Sequence, residues 1–288
     1  MKFQGMLSVH VAVLLFGIAG LFGEWVDLPA HGIVLGRTGF AFLFLWLVLS
    51  WRKIPKRPQR NSEWTLLIGS GALLAFHWVA FFQSIQLSSV AIGLLTFSSF
   101  PVFTVFLEAL LGQEKLLVKN VSIATVTVLG VGILLPPLDL QLADTRGAIW
   151  GLLSGLSFAG LALVNRSLVA HNPSQRIALW QDLFAFLFLI PFGLIGEGMS
   201  PSLQDWGLLL LLGILFTGVS HALFIHSLKS IPPRMVSIIT SLEPLYGILA
   251  AWMLLDQVPA PRTLLGGSII LGATTFASLA DRKQRVDE

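Results

Sequence analysis

Glu243, followed directly by Pro244, interrupts a stretch from 235 to 255 that is otherwise small and apolar. If that stretch crosses a membrane as a helix, its rise of 1.5 Å per residue puts the carboxyl group about 12 Å inside the cytoplasmic edge. An ionised carboxylate at such depth costs about 2.5–3.5 kcal/mol, so it needs water or a partner. Two chemistries suit it, carrying a proton or ligating a substrate amine; the plain alternative is a glutamate hydrogen-bonded between helices. His221 is about 10 Å from the same edge, where it can meet Glu243 across neighbouring helices. His77 precedes His221 by 144 residues, half the chain. Two histidines at matching positions could relay protons, although each also suits an interhelical hydrogen bond.

Trp78 lies in the middle of an apolar run, away from the interfacial belt where tryptophan gathers. It reads either as a core residue or as a stacking surface for a substrate. His77 and Trp78 point about 100° apart on a helix, so only one is expected to face a cavity. Pro101 and Pro244 fall inside apolar runs, where each frees the carbonyl four residues earlier, those of Phe97 and Thr240. These prolines are kinks, and as a pair they suit gating hinges. Arg37 sits about 7 Å from the outer edge, within snorkelling reach of Glu24 or Asp27, and reads as a structural charge. Asp182 and Glu108 are close enough to the cytoplasmic edge to reach water. His221 and His226 diverge by about 140° around a helix and form no zinc pair, and the chain has no cysteine for thiolate metal sites.

The elements that hold these residues follow from composition. Hydrophobic residues make up 55% and charged residues 11%, with a mean hydropathy of +0.82, which excludes an ordinary soluble domain, about 25% charged. Ten apolar runs, each near the ~20 residues that cross the hydrocarbon core, lie at 6–23, 32–51, 64–85, 90–112, 118–135, 147–165, 177–196, 206–228, 235–255 and 261–280. The expected fold is an all-α integral membrane protein of ten transmembrane helices. The first run reads as an uncleaved helix, and the longest linkers, 52–63 and 136–146, are too short for a domain. With the N-terminus in the cytoplasm, 15 of the 18 Lys and Arg residues fall on that side, against only Arg146 and Arg262 outside. The bias predicts that both termini are cytoplasmic. It also explains the pI of about 9.5 without a nucleic-acid partner.

The hexapeptide FAFLFL occurs at 40–45 and again at 184–189, and Ser84/Ser227, Pro101/Pro244 and Trp64/Trp206 repeat at nearly the same offset. A duplication of roughly 140 residues accounts for all of them. Five spans per copy is an odd number, so the second copy must enter the membrane from the opposite side. The expected units are 1–135 and an inverted 147–288. Inverted repeats are typical of secondary transporters with a site near the midplane. The series Gly147, Gly151, Gly155, Ala159 puts small residues along one helix face for close packing, or along the axis between the halves.

Ser241-Leu-Glu243-Pro244-Leu-Tyr246, its counterpart Ser98-Ser99-Phe100-Pro101-Val102 running to Gln113-Glu114, and Arg37 in the second run resemble the EamA family of the drug/metabolite transporter superfamily. Asp256-Gln257 departs from the family's usual Gly-Glu. The resemblance covers nearly the whole chain and implies alternating-access export or exchange of a small organic metabolite, with amino acids or related compounds foremost. The candidate binding and gating residues are Glu243, His221, His77, Trp78, Pro101, Pro244, Tyr246 and Phe97, with Glu243 also the candidate for proton coupling. The expected partners are a small-molecule substrate, the lipid bilayer and protons, with a second copy of the chain left open; no cofactor is expected, and the setting is a bacterial plasma membrane. No GxxxxGK[ST], HExxH or GxSxG occurs. The first absence argues against ATP hydrolysis, and the others weigh against an intramembrane enzyme. An uncoupled channel is the remaining alternative.

Overall fold

A computed structural model describes residues 2–112, 118–134, 139–195, 198–227, 231, 236, 239–240 and 242–284. Ser241, Gln113-Glu114 and the cytoplasm-assigned Lys115, Lys229, Arg234 and Arg285 lie outside the described residues. The described chain is helical, as the bilayer demands, because a backbone without water must satisfy its polar groups internally. In chain order the helices are α1 (Lys2–Ala19), α2 (Phe22–Trp25), α3 (Ala30–Trp51), α4 (Glu63–Leu87), α5 (Val90–Phe97), α6 (Phe100–Leu110), α7 (Val118–Leu134), α8 (Ala143–Leu168), α9 (Ser174–Ile195) and α10 (Leu203–Gly213). A π-helical segment, Ile214–Val219, leads into α11 (Ser220–Ser227), followed by α12 (Glu243–Leu255) and α13 (Pro261–Gln284).

Seven stretches among the described residues are long and apolar enough to span a membrane: Phe3–Trp25, Ala30–Trp51, Glu63–Leu87, Val90–Leu110, Ala143–Leu168, Ser174–Ile195 and Leu203–Ser227. Val121–Leu134 and Glu243–Leu255 are shorter apolar helices. This is a multi-pass membrane protein.

Two of the expected continuous helices begin differently from the sequence reading. The run 90–112 is broken at Ser98-Ser99, and Pro101 sits in the first turn of α6. Pro244 likewise sits in the first turn of α12. Neither proline is in a helix interior. The first turn has N–H groups with no intrahelical partner, so proline's missing N–H costs nothing there and its fixed φ suits the helix. The π segment gives no signal in hydropathy.

Glycines decide how closely the helices pack. A Cβ on Gly17 of α1 would lie 2.7 Å from the Glu243 carbonyl oxygen, and one on Gly247 would lie 2.8 Å from the Gly17 carbonyl oxygen. The two backbones therefore touch, and this seats the start of α12 against α1. Leu35 covers Gly193 and Phe186 covers Gly39, an order that makes α3 antiparallel to α9. On α8, Gly147 meets Ser88, Gly151 meets Thr96, and Gly155 meets the Phe97 carbonyl. That small-residue stripe packs α8 onto α4 and α5. The core formed by these contacts includes Phe22, Trp78, Phe81, Phe82, Phe97, Phe100 and Phe216.

Candidate functional site

At the centre of this aromatic core is a cavity of about 40 Å³ lined by Phe16, Ala19, Arg37, Leu74, His77, Trp78, Phe81, Phe97, Phe158, His221, Phe224 and Glu243. Residues from both halves of the chain meet there. Glu243, His221, His77, Trp78 and Phe97, all candidates from sequence, line it; Pro101, Pro244 and Tyr246 do not. The prolines act one step away, by starting the helix that follows the break after Phe97 and the helix that presents Glu243. Tyr246 packs in a separate apolar cluster.

Both His77 and Trp78 face the cavity, contrary to the expectation that only one would. The α4 residues lining it, Leu74, His77, Trp78 and Phe81, follow the i, i+3, i+4, i+7 pattern of one continuous helical stripe. A stripe of that width accommodates side chains about 100° apart. His77 is fixed by α8. Its Nδ1 lies 3.0 Å from the Ser154 carbonyl oxygen and 2.9 Å from Ser154 Oγ; the carbonyl can only accept, so a bond to it makes Nδ1 the donor and leaves Nε2 as the acceptor. Ser154 Oγ donates back to the His77 carbonyl at 3.1 Å.

Arg37 does not snorkel to Glu24 or Asp27. It is 2% exposed, and its Nε donates to Thr217 Oγ1 at 2.9 Å with Nη2 3.4 Å from the Phe216 carbonyl oxygen. Thr217 Oγ1 in turn donates to the Leu212 carbonyl at 2.7 Å. Thr217 and Phe216 belong to the π segment, whose wider turn departs from the i→i+4 ladder and offers side-chain and carbonyl oxygens to a neighbour. Gly213 lets α3 come in: a Cβ there would lie 2.8 Å from the Arg37 carbonyl oxygen. The guanidinium then lies 4.0 Å from the centre of the Trp78 ring, a cation–π contact strengthened by desolvation. Glu24 is engaged elsewhere, accepting from Gln257 Nε2 at 3.2 Å, while Gln257 Oε1 accepts from the Val90 N–H at 3.3 Å.

His221 and Glu243 share the cavity, but no hydrogen bond joins them among the described contacts. His221 instead meets Trp78 edge-on, with centroids 6.0 Å apart, and its buried Nδ1 has no described partner. Glu243 begins α12, where the helix N-terminus favours a negative charge. Asp182, expected to reach water, is 0% exposed. The packing of α3 and α4 around α9 encloses it. Glu108 is ion-paired with Arg166 at 3.2 Å.

That pair borders a second cavity of about 100 Å³, also lined by Phe100, Thr104, Phe158 and Phe224. Phe158 and Phe224 border both spaces, their ring centroids 6.0 Å apart. An aromatic pair thus walls one cavity from the other. No cluster of three or more metal-ligating side chains occurs among the described residues.

Comparison with known proteins matches the same chain twice. The EamA-like transporter family model covers residues 3–135 and 145–279. An uncharacterized transporter, YxxF, of Bacillus subtilis is 30% identical over 86% of this chain and 80% of its own. The pseudopaline exporter CntI of Pseudomonas aeruginosa is 24% identical over 85% of each chain, and an S-adenosylmethionine uptake transporter of Rickettsia bellii 22% over 79% and 77%. A crystal structure with 16% identity superposes over 97% of both chains with a TM-score of 0.71, showing a shared fold. Family and relatives point to a transporter rather than an enzyme. A multi-pass helical chain whose two halves each match the same family model belongs to the EamA-like transporter family.

Proposed function

We propose that the chain is a secondary transporter exporting or exchanging a small organic metabolite, an amino acid or related compound, by alternating access. The observation that carries this reading is one central cavity holding Arg37 from the first half and Glu243 from the second, among aromatic walls. A guanidinium suits a substrate carboxylate, and Glu243 suits its ammonium group. The aromatic faces suit an apolar side chain. Glu243 carries a proton when no amine occupies the site, so an arriving ammonium group displaces it.

Ten spans arranged as inverted repeats, 1–135 and 147–288, complete the reading, with both termini in the cytoplasm and the protein in a bacterial plasma membrane. The antiparallel α3 and α9, which carry the two FAFLFL copies, support it, as does the positive-inside bias. A central space of about 40 Å³ has room for a few waters but not for a metabolite. Loading therefore requires movement. On the cytoplasmic side the Phe158–Phe224 wall must part; on the outer side, the Gln257 bridge between Glu24 and α5.

The test is uptake and counterflow in proteoliposomes with a panel of amino acids, their decarboxylated amines and their deaminated acids, with and without a pH gradient. Saturable counterflow of amino acids is expected. Flux without saturation or exchange would make the chain a pore, and chemical alteration of the solute would make it an enzyme. Proton-driven amine transport that survives Glu243→Gln in a well-folded protein would remove the coupling role of Glu243.

A further inference from the structure

One buried ionisable group has no part in that transport cycle. Asp182 of α9 is 0% exposed, and neither carboxyl oxygen has a hydrogen-bond partner among the described residues. An ionised carboxylate so placed would have lost its hydration with nothing in return. The α9 helix packs against α3, α4 and α11, whose ionisable side chains are His31 and Arg37, Glu63 and His77, and His221 and His226. Of these, Arg37 is the permanent cation. Phe186 covers Gly39, and Asp182 lies one turn away along α9, about 6 Å. In this antiparallel pair Arg37 starts on the far side of Gly39, and its side chain extends back toward the level of Asp182 to bond Thr217, next to the Gly218 that Phe44 covers. The guanidinium nevertheless bonds to Thr217 and faces the cavity, without an ion pair to Asp182.

We propose that Asp182 is a second proton-binding site, whose proton frees Arg37 to hold an anionic group of the substrate and whose loss restores the Asp182–Arg37 charge pair. The inference rests on the reading of Arg37 as the anion partner. Both states keep the buried interior neutral. In one, Asp182 carries a proton on an oxygen and the guanidinium balances a substrate carboxylate; in the other, the proton has gone to solvent on the open side and Asp182 balances the guanidinium. This proton is separate from the one on Glu243. A substrate anion therefore crosses with a proton and an amine crosses in exchange for one. A zwitterion moves the two in opposite senses, without net proton flux.

Infrared spectroscopy of the purified full-length protein, in H₂O and D₂O and without substrate, tests the charge state directly. The difference between wild type and Asp182→Asn should contain a protonated-carboxyl band that shifts in D₂O and disappears as the pH is raised between about 5 and 9. Arg37→Gln, which removes the competing charge, should retain that band at the pH where wild type has lost it. A band absent throughout this range, or present unchanged throughout it, overturns the proposal, as does identical pH behaviour with and without Arg37. If Arg37→Gln does not fold, the wild-type and Asp182→Asn comparison still decides. Because no substrate is used, a negative result here leaves the transport panel unaffected, and a failed panel leaves this band unaffected.

Discussion

Phe100 and Glu243 occupy corresponding places in the two halves, each directly before a proline that opens a helix. Both are 5% exposed. Phe100 stacks on Phe97 with centroids 5.5 Å apart and lines the second cavity with Glu108 and Arg166. Glu243 instead lines the central cavity with Arg37, His77 and His221. One backbone device has thus been given two side chains, one that fills space and one that can ionise. The duplication supplied the same helix start twice, and the chemistry proposed for the central cavity rests on the asymmetry between the copies.

Substitutions can break this comparison. The largest expected effect is on stability: Phe100→Ala removes a buried ring and should cost about 3–5 kcal/mol, read as a lowered thermal-unfolding midpoint, with the order of substrate preference retained. Glu243→Gln should do the reverse. Losing the charged partner of a buried ammonium costs about 2–5 kcal/mol, so amine-bearing substrates should bind at least about 30-fold more weakly, while the unfolding midpoint stays close to wild type. If Phe100→Ala changed selectivity as strongly as Glu243→Gln, the division between packing and chemistry would fail.

Smaller effects sharpen it. Gly17→Ala pushes a methyl group against the Glu243 backbone and should cost about 1–3 kcal/mol, because a backbone neighbour cannot rotate away; thermal unfolding measures the loss. Removing the Gln257 bridge with Gln257→Ala should cost about 1 kcal/mol or less, since its two hydrogen bonds are long. Its signature is a few-fold faster labelling of Leu94→Cys by a membrane-impermeant thiol reagent added outside. The absence of native cysteine makes that label specific.

Much of the site is legible in the sequence. Glu243, His77, His221 and Trp78 stand out because polar or interfacial residue types inside apolar runs carry an energetic cost that something must offset. Arg37 stands out for the same reason, but its distance along the chain to a membrane edge points it outward, and no sequence signal marks the π segment that receives it. The same reasoning sends Asp182 to water. Depth along a helix can be read from residue number. Direction around the helix, in a chain apolar on all sides, cannot.

Sequence by itself determined that the chain is an apolar helical membrane protein built from a duplicated unit, because hydropathy, charge bias and repeated segments are local or additive properties. Proline, which has no N–H wherever it stands, marked two disturbed places in the helical runs, but read from sequence they were kinks within continuous helices, not the starts of new ones. Only the tertiary structure decided that Arg37 turns inward onto Trp78, that Glu243 and His221 share a cavity without bonding, and that Asp182 is sealed off. Those outcomes depend on close approaches between distant residues, such as Gly17 to Glu243 and Gly213 to Arg37. Packing between distant segments leaves no pattern in the sequence of either segment alone.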